Sequence, residues 1–140
     1  MREVISTSDA PSSPLYSQAV KAGVYVYVSG LVGVDVTTGT LVGSTIQEQT
    51  RQALTNCQAV LHAAGATLED VVEVGVLLTN PADFADMNDD TRRGFQLRRR
   101  LATSPSWGSN CPAYSSRFAC LRSWARFDSS QSDLLVEFFG

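Results

Sequence analysis

The sequence is poor in histidine, lysine and cysteine and has no long apolar stretch. His62 is the single histidine, and Cys57, Cys111 and Cys120 stand at no spacing that suits a metal. A His/Cys zinc site is excluded on these numbers, and three thiols do not make a disulfide framework. No run of eighteen uncharged apolar residues occurs, which excludes a membrane-spanning helix. Met1-Arg2-Glu3-Val4 opens without an apolar core, so no secretory signal is expected. Glycine-rich phosphate loops and a Ser-His-Asp set are also missing. These absences lead us to expect a reduced, cytoplasmic protein that holds no metal and touches no membrane.

What is present fits one domain. The chain has 140 residues, 44% hydrophobic and 18% charged, enough apolar content to bury a core. The net charge of −3 argues against a general nucleic-acid binder. Charge is unevenly spread: residues 1–91 carry three basic groups against eleven acidic ones, whereas residues 92–140 carry eight arginines, no lysine and three acids. Arg98-Arg99-Arg100 could serve as a phosphate patch, but an exposed helix end or solvated loop is the commoner use of such a run.

Patterning is clear in the first two-thirds. Val24-Tyr25-Val26-Tyr27-Val28 is a β-branched and aromatic run between glycines, which predicts a buried strand. Asp35 to Thr40 has turn chemistry, and Leu41-Val42 is read as the start of a short strand. Ser44 or Thr45 is expected as the N-cap of a helix, with Glu48, three residues beyond Thr45, making a capping-box pattern. Ile46, Thr50, Ala53, Leu54, Cys57, Val60, Leu61 and Ala64 make its inner stripe, and Gly65 its stop. Val71 to Thr79 reads as a strand broken by Asn80-Pro81. Asp83 is expected to cap a second helix, with Phe84, Met87, Thr91 and Phe95 facing inward. Strands linked by a helical crossover predict an α/β or α+β sandwich with helices on one face of a sheet. Beyond about residue 91 the periodicity fades, and residues 101–133 contain nine serines. A bare connection of that length runs against the usual 4–6 or so residues. Leu134 to Phe139 restores the pattern of a strand.

Several stretches together resemble the RidA family (YjgF/YER/UK, also called endoribonuclease L-PSP). They are Ala10-Pro11, Pro14-Leu15-Tyr16-Ser17-Gln18-Ala19-Val20, Val26-Tyr27-Val28-Ser29-Gly30 and Thr38-Gly39-Thr40-Leu41-Val42-Gly43. Ile46-Gln47-Glu48-Gln49-Thr50-Arg51-Gln52-Ala53-Leu54, Ala63-Ala64-Gly65 and Asp83-Phe84-Ala85-Asp86-Met87-Asn88 continue them in order. The likeness covers residues 4–90 and leaves residues 91–133 as a divergent or inserted segment of one RidA-like domain. It implies an α+β, chorismate-mutase-like sheet with two helices packed on one face. It further implies a homotrimer with clefts between subunits, and a cofactor-free hydrolysis of reactive enamines and imines to 2-oxo acids and ammonia.

Such chemistry needs a grip on the substrate carboxylate, an aimed water and a partly dry pocket. A guanidinium suits the first because its fork gives two parallel charge-assisted hydrogen bonds. A carboxylate can aim the water, and an aromatic wall excludes solvent. The resemblance implies Tyr16 as that wall, Ser29 and Gly30 as backbone lining the cleft, and Asn88 as a residue facing a neighbouring subunit's pocket. The family's clamp is an arginine in Pro-Ala-Arg-Ser at the opening of the penultimate strand. Here Pro112-Ala113 is followed by Tyr114, whereas Arg122-Ser123 stands fifteen residues before Glu137, the family's interval between clamp and last-strand glutamate. We therefore assign Arg122 as clamp and Glu137 as the water-orienting group. Asn88 and Arg122 are then 34 residues apart, about twice the family's interval, which requires an insertion between helix and strand.

For each residue a plainer role stands alongside: a half-buried tyrosine, a simple turn, a helix-surface asparagine, a solvent-facing glutamate. Cys57 reads as core filler and His62 as a cation at a helix end. Two further functions are weighed against the deaminase: a non-catalytic trimeric ligand-binding or chaperone-like protein, and an endoribonuclease, for which the arginine cluster is the only local support. The arginine- and serine-rich segment also has the composition of an out-of-frame translation, which would leave the C-terminal end without a clamp.

Overall fold

The computed structural model describes residues 1–71 and 73–94 together with the backbone of residues 102–107 and 119–126. Among them lie six strands and two α-helices. The strands are β1 (Arg2–Ile5), β2 (Ala19–Ala22), β3 (Tyr25–Leu31), β4 (Glu73–Leu78), β5 (Ala102–Trp107) and β6 (Ala119–Arg126); the helices are α1 (Ile46–Ala63) and α2 (Phe84–Gly94). They form one sheet in the order β1-β2-β3-β6-β4-β5. Every pair is antiparallel except β4 with β5. The latest of the described strands, β6, thus lies between β3 and β4. The α+β class and the two helices match expectation.

Alternation along the strands decides which face is covered. Val26, Val28 and Leu31 of β3 and Val74, Val76 and Leu78 of β4 are buried, while Tyr25, Tyr27, Glu73, Gly75 and Leu77 between them are half-buried. Helix α1 packs on the first set with Ile46, Ala53, Leu54, Cys57, Val60 and Leu61. Each large side chain so buried is worth roughly 1.5–3 kcal/mol. Gln49 and Asn56, polar and absent from the expected stripe, are buried on the same helix.

The ends of α1 are set locally. Thr45 Oγ1 accepts from Glu48 N at 3.3 Å, and Glu48 Oε2 accepts from Thr45 N at 3.2 Å and from the Thr45 hydroxyl at 2.7 Å. At the other end Gly65 takes φ +82°, its N–H donating to His62 O while Ala66 N–H reaches Leu61 O. His62 occupies the last turn and is exposed.

Some expectations are corrected. The 19–22 segment and residues 2–5 are strands, too short and too mixed in polarity to announce themselves. Leu41 makes only an isolated bridge to Val34, because α1 is capped four residues later at Thr45 and leaves no length for a strand. Ahead of α2, Asn80 Oδ1 accepts from Ala82 N and caps a 3₁₀ turn over Pro81–Asp83, in which Asp83 is buried. Met87 and Thr91 face inward and Phe84 packs against the core as expected; Phe95 and the strand read at Leu134 to Phe139 lie outside the described residues. Two strands occur where periodicity fades. β5 is an edge strand, a place where Pro105 is tolerated, and β6 sets Leu121, Ser123 and Ala125 across from core positions of β3, a weak apolar alternation.

Candidate functional site

The pairing of β3 with β6 slips once. Val28 lies across from Ser123 and Leu31 from Leu121, so Ser29 and Gly30 together oppose the single residue Arg122. This is a β-bulge, a device that re-aims the chain and is common beside active sites. On its other edge Arg122 is in register with Gly75 of β4. Its backbone is therefore flanked by the bulge and by a position without a side chain.

The β1–β2 connection is fastened to the same bulge. Ser29 Oγ donates to Ser17 O at 2.6 Å, and Ser29 N donates to Gln18 O at 2.9 Å. Tyr16, the residue before Ser17, is 52% exposed. Its tip is shaped by a bridge between Ser13 and Tyr16 and by Leu15 N donating to Ser13 Oγ at 3.2 Å. Tyr16, Ser29, Gly30 and Arg122, four of the expected site residues, thus sit on backbone segments that meet at one point of the sheet.

Asn88 lies apart from them. Asn88 is half-buried on α2, which packs against α1. Glu137 lies outside the described residues, as do Pro112, Ala113 and Tyr114. The expected register is corrected in one respect: Arg122 does not open its strand but is the fourth residue of β6, the last described strand. The reason is topological, since the centre of the sheet needs a strand that pairs with β3 and β4 at once, and residues 119–126 supply it.

Motif reasoning missed the buried amides that shape the surroundings. Gln18, only 3% exposed, binds four backbone groups of residues 7–11 through its side chain. Asn56 Nδ2 donates to Val32 O and Val34 O, both at 2.9 Å, and holds the segment leaving β3. Gln49 Nε2 donates to Gly43 O at 2.9 Å. Gly33 allows a close approach here, because a Cβ on it would lie 2.6 Å from Gln49 Cα. The only advance signal was a glutamine or asparagine set inside or beside an apolar stripe.

Two carboxyls are held below their ordinary range, and both do structural work. Asp35 accepts from the backbone N–H groups of Thr38 and Thr37 in the turn after β3; Glu48 is lowered by the Thr45 hydroxyl and backbone N–H of the capping box. A groove of about 500 Å³ opens elsewhere, between α1 and α2, lined by Arg51, Leu54, Leu68, Asp90 and Arg93 among others. There buried Asp90 accepts from Arg51 at 3.1 Å with Arg93 at 3.7 Å. Among the described residues no three His, Cys, Asp or Glu side chains are grouped to hold a metal, and no helix is long and apolar enough to cross a membrane.

Residues 7–107 match the family described as Endoribonuclease L-PSP. The chain belongs to this family, the RidA/YjgF family. A RutC family protein of Pyrococcus horikoshii is 47% identical over 91 residues, 64% of this chain and 71% of that protein. A protein named 2-iminobutanoate/2-iminopropanoate deaminase from Dermatophagoides farinae is 42% identical over 97 residues, 68% of this chain and 75% of its own length. Among solved structures, RidA from an Antarctic Psychrobacter species superposes with a TM-score of 0.80 at 32% identity, covering 89% of this chain and 99% of its own. Escherichia coli TdcF, solved with bound serine, gives 0.80 at 27% identity, covering 90% and 99%. Within this L-PSP family chain the matched stretch holds Tyr16, the Ser29-Gly30 bulge and α2, and ends with β5; Arg122 on β6 lies beyond it.

Proposed function

We propose that this chain is a RidA-type enamine/imine deaminase that hydrolyses reactive 2-imino acids to 2-oxo acids and ammonia. The observation that carries the reading is the bulge that sets Ser29 and Gly30 against Arg122 beside the loop bearing Tyr16. Relatives named for this reaction at about 42% identity support it, as does a structural neighbour solved with an amino acid bound. In this reading Arg122 grips the substrate carboxylate, and backbone at Ser29 and Gly30 approaches the planar substrate. Tyr16 walls the pocket, Glu137 aims a water, and Asn88 serves a neighbouring subunit of a cytoplasmic homotrimer.

The reaction asks for no redox partner. Water adds to the carbon of the protonated imine, forming a C–O bond and giving up a proton. The resulting carbinolamine, protonated on nitrogen, gives up its hydroxyl proton to water as the C–N bond breaks, leaving the 2-oxo acid and ammonia. The site contributes orientation and a reduced water content.

The test is release of 2-oxobutanoate from the imine that a threonine dehydratase generates. The wild-type chain is expected to accelerate release above the spontaneous rate. Arg122→Ala is expected to lower kcat/KM by about 10–100-fold, the worth of charge-assisted hydrogen bonds. Equal rates for wild type and variant remove Arg122 from the mechanism; no acceleration by the wild type overturns the reading. The family match ending at residue 107, short of Arg122, favours one alternative: a trimeric ligand-binding or chaperone-like protein without catalysis.

A further inference from the structure

The loop between β1 and β2 has little apolar burial to hold it. Ala10 is buried, but Leu15 is 89% exposed and Tyr16 52%. Its first half, residues 7–11, is tied to one side chain. Gln18 Oε1 accepts from Thr7 N at 2.6 Å, and Nε2 lies 3.0 Å from Thr7 O, 2.9 Å from Ala10 O and 3.1 Å from Pro11 O. An amide nitrogen has two hydrogens, so one of them is shared between carbonyls, and the donor capacity of the group is fully used. The backbone carbonyl of Gln18 also accepts from Ser29 N at the bulge. Gln18 is thus the one residue tied both to the start of the loop and to the site, two positions after Tyr16.

We infer that Gln18 is a positioning residue that holds Tyr16 at the rim of the Ser29-Gly30 bulge. The inference rests on the deaminase reading for the role of Tyr16, while the pinning itself stands on the hydrogen bonds alone. Gln18 acts through Tyr16 and touches no substrate. Leucine or methionine would fill the same volume, but neither would meet the carbonyls of Thr7, Ala10 and Pro11, and residues 7–11, the base on which the rest of the loop stands, would be released.

The experiment is a double-mutant cycle on 2-oxobutanoate release, with Gln18→Met, Tyr16→Ala and the double variant. Gln18→Met is expected to lower kcat/KM about 10-fold, and the double variant to be no slower than Tyr16→Ala alone. Losses that multiply would show that Gln18 does not act through Tyr16 and overturn the inference. Two arms need no turnover. On the unaltered chain, the Thr7 amide, whose acceptor is Gln18, is expected to exchange with deuterium at least 10-fold more slowly than in a free peptide. Chymotrypsin is expected to cut after Leu15 or Tyr16 at least 10-fold faster in Gln18→Met than in wild type. Peptide-like exchange at Thr7, or equal cutting, overturns the pinning even where Gln18→Met folds poorly. A wild type with no imine hydrolysis overturns the deaminase reading alone, and these two arms then decide the role of Gln18.

Discussion

The covered face of the sheet and the rim of the site are held by different forces. Under α1, Val26, Val28, Val74, Val76 and Leu78 meet Val60 and Leu61 in apolar contact. At the rim, where β1 leads to β2 and β3 leads to α1, buried amides fasten bare backbone: Gln18 to residues 7–11, Asn56 to Val32 and Val34, Gln49 to Gly43. Apolar burial is non-directional and tolerates small shifts, whereas an amide holds a carbonyl to within a few tenths of an ångström. A frame of the first kind carrying a rim of the second kind is suited to presenting Tyr16, Ser29 and Gly30 in fixed geometry.

Substitutions on the two sides should separate these forces. The largest stability effect is expected for Leu61→Ala, a fully buried core position, at about 2–5 kcal/mol in urea unfolding. A loss under about 1 kcal/mol would mean that the covered face is not the main support. Asn56→Ala leaves the carbonyls of Val32 and Val34 unmet and should cost about 1–3 kcal/mol. It should also raise exchange of the Asp35 and Val42 amides more than those of α1, the opposite of the Leu61→Ala pattern. Thr45→Ala removes the cap of α1 and is expected to cost about 1 kcal/mol, read as a lowered melting temperature.

The smallest effect concerns pH. Glu48 is lowered in the folded chain by its hydrogen bonds with Thr45, so folding favours its charged form. Its contribution is full above 4.5, the ordinary glutamate value, and fades as pH falls through the lowered value. The difference in melting temperature between wild type and Glu48→Gln should therefore be flat near neutrality and shrink in acid. A difference that grows in acid would contradict the assignment.

What was legible in the sequence follows the same division. The capping box, the stripe of α1 and the cores of β3 and β4 repeat at a fixed period, and period survives translation into structure. β1 and β2 have four residues each, too few to display a period, and β5 reads Ala-Thr-Ser-Pro-Ser-Trp, whose strand character comes from its place beside β4. Gln18 and Asn56 bind carbonyls 7–11 and 22–24 residues away, a relation that no local window contains. Tyr16, Ser29 and Gly30 were found through family likeness and not through periodicity. That Ser29-Gly30 would lie across from Arg122 could not be read in advance, because it depends on β6 entering the sheet between β3 and β4.

In the proposed function, Arg122 on β6 grips the carboxylate of a small planar acid. Calorimetric titration of the wild-type chain and of Arg122→Ala with 2-oxobutanoate tests it most directly. Saturable binding by the wild type that is lost in the variant is the expected result; no saturable binding by the wild type, or equal binding by both, would contradict it.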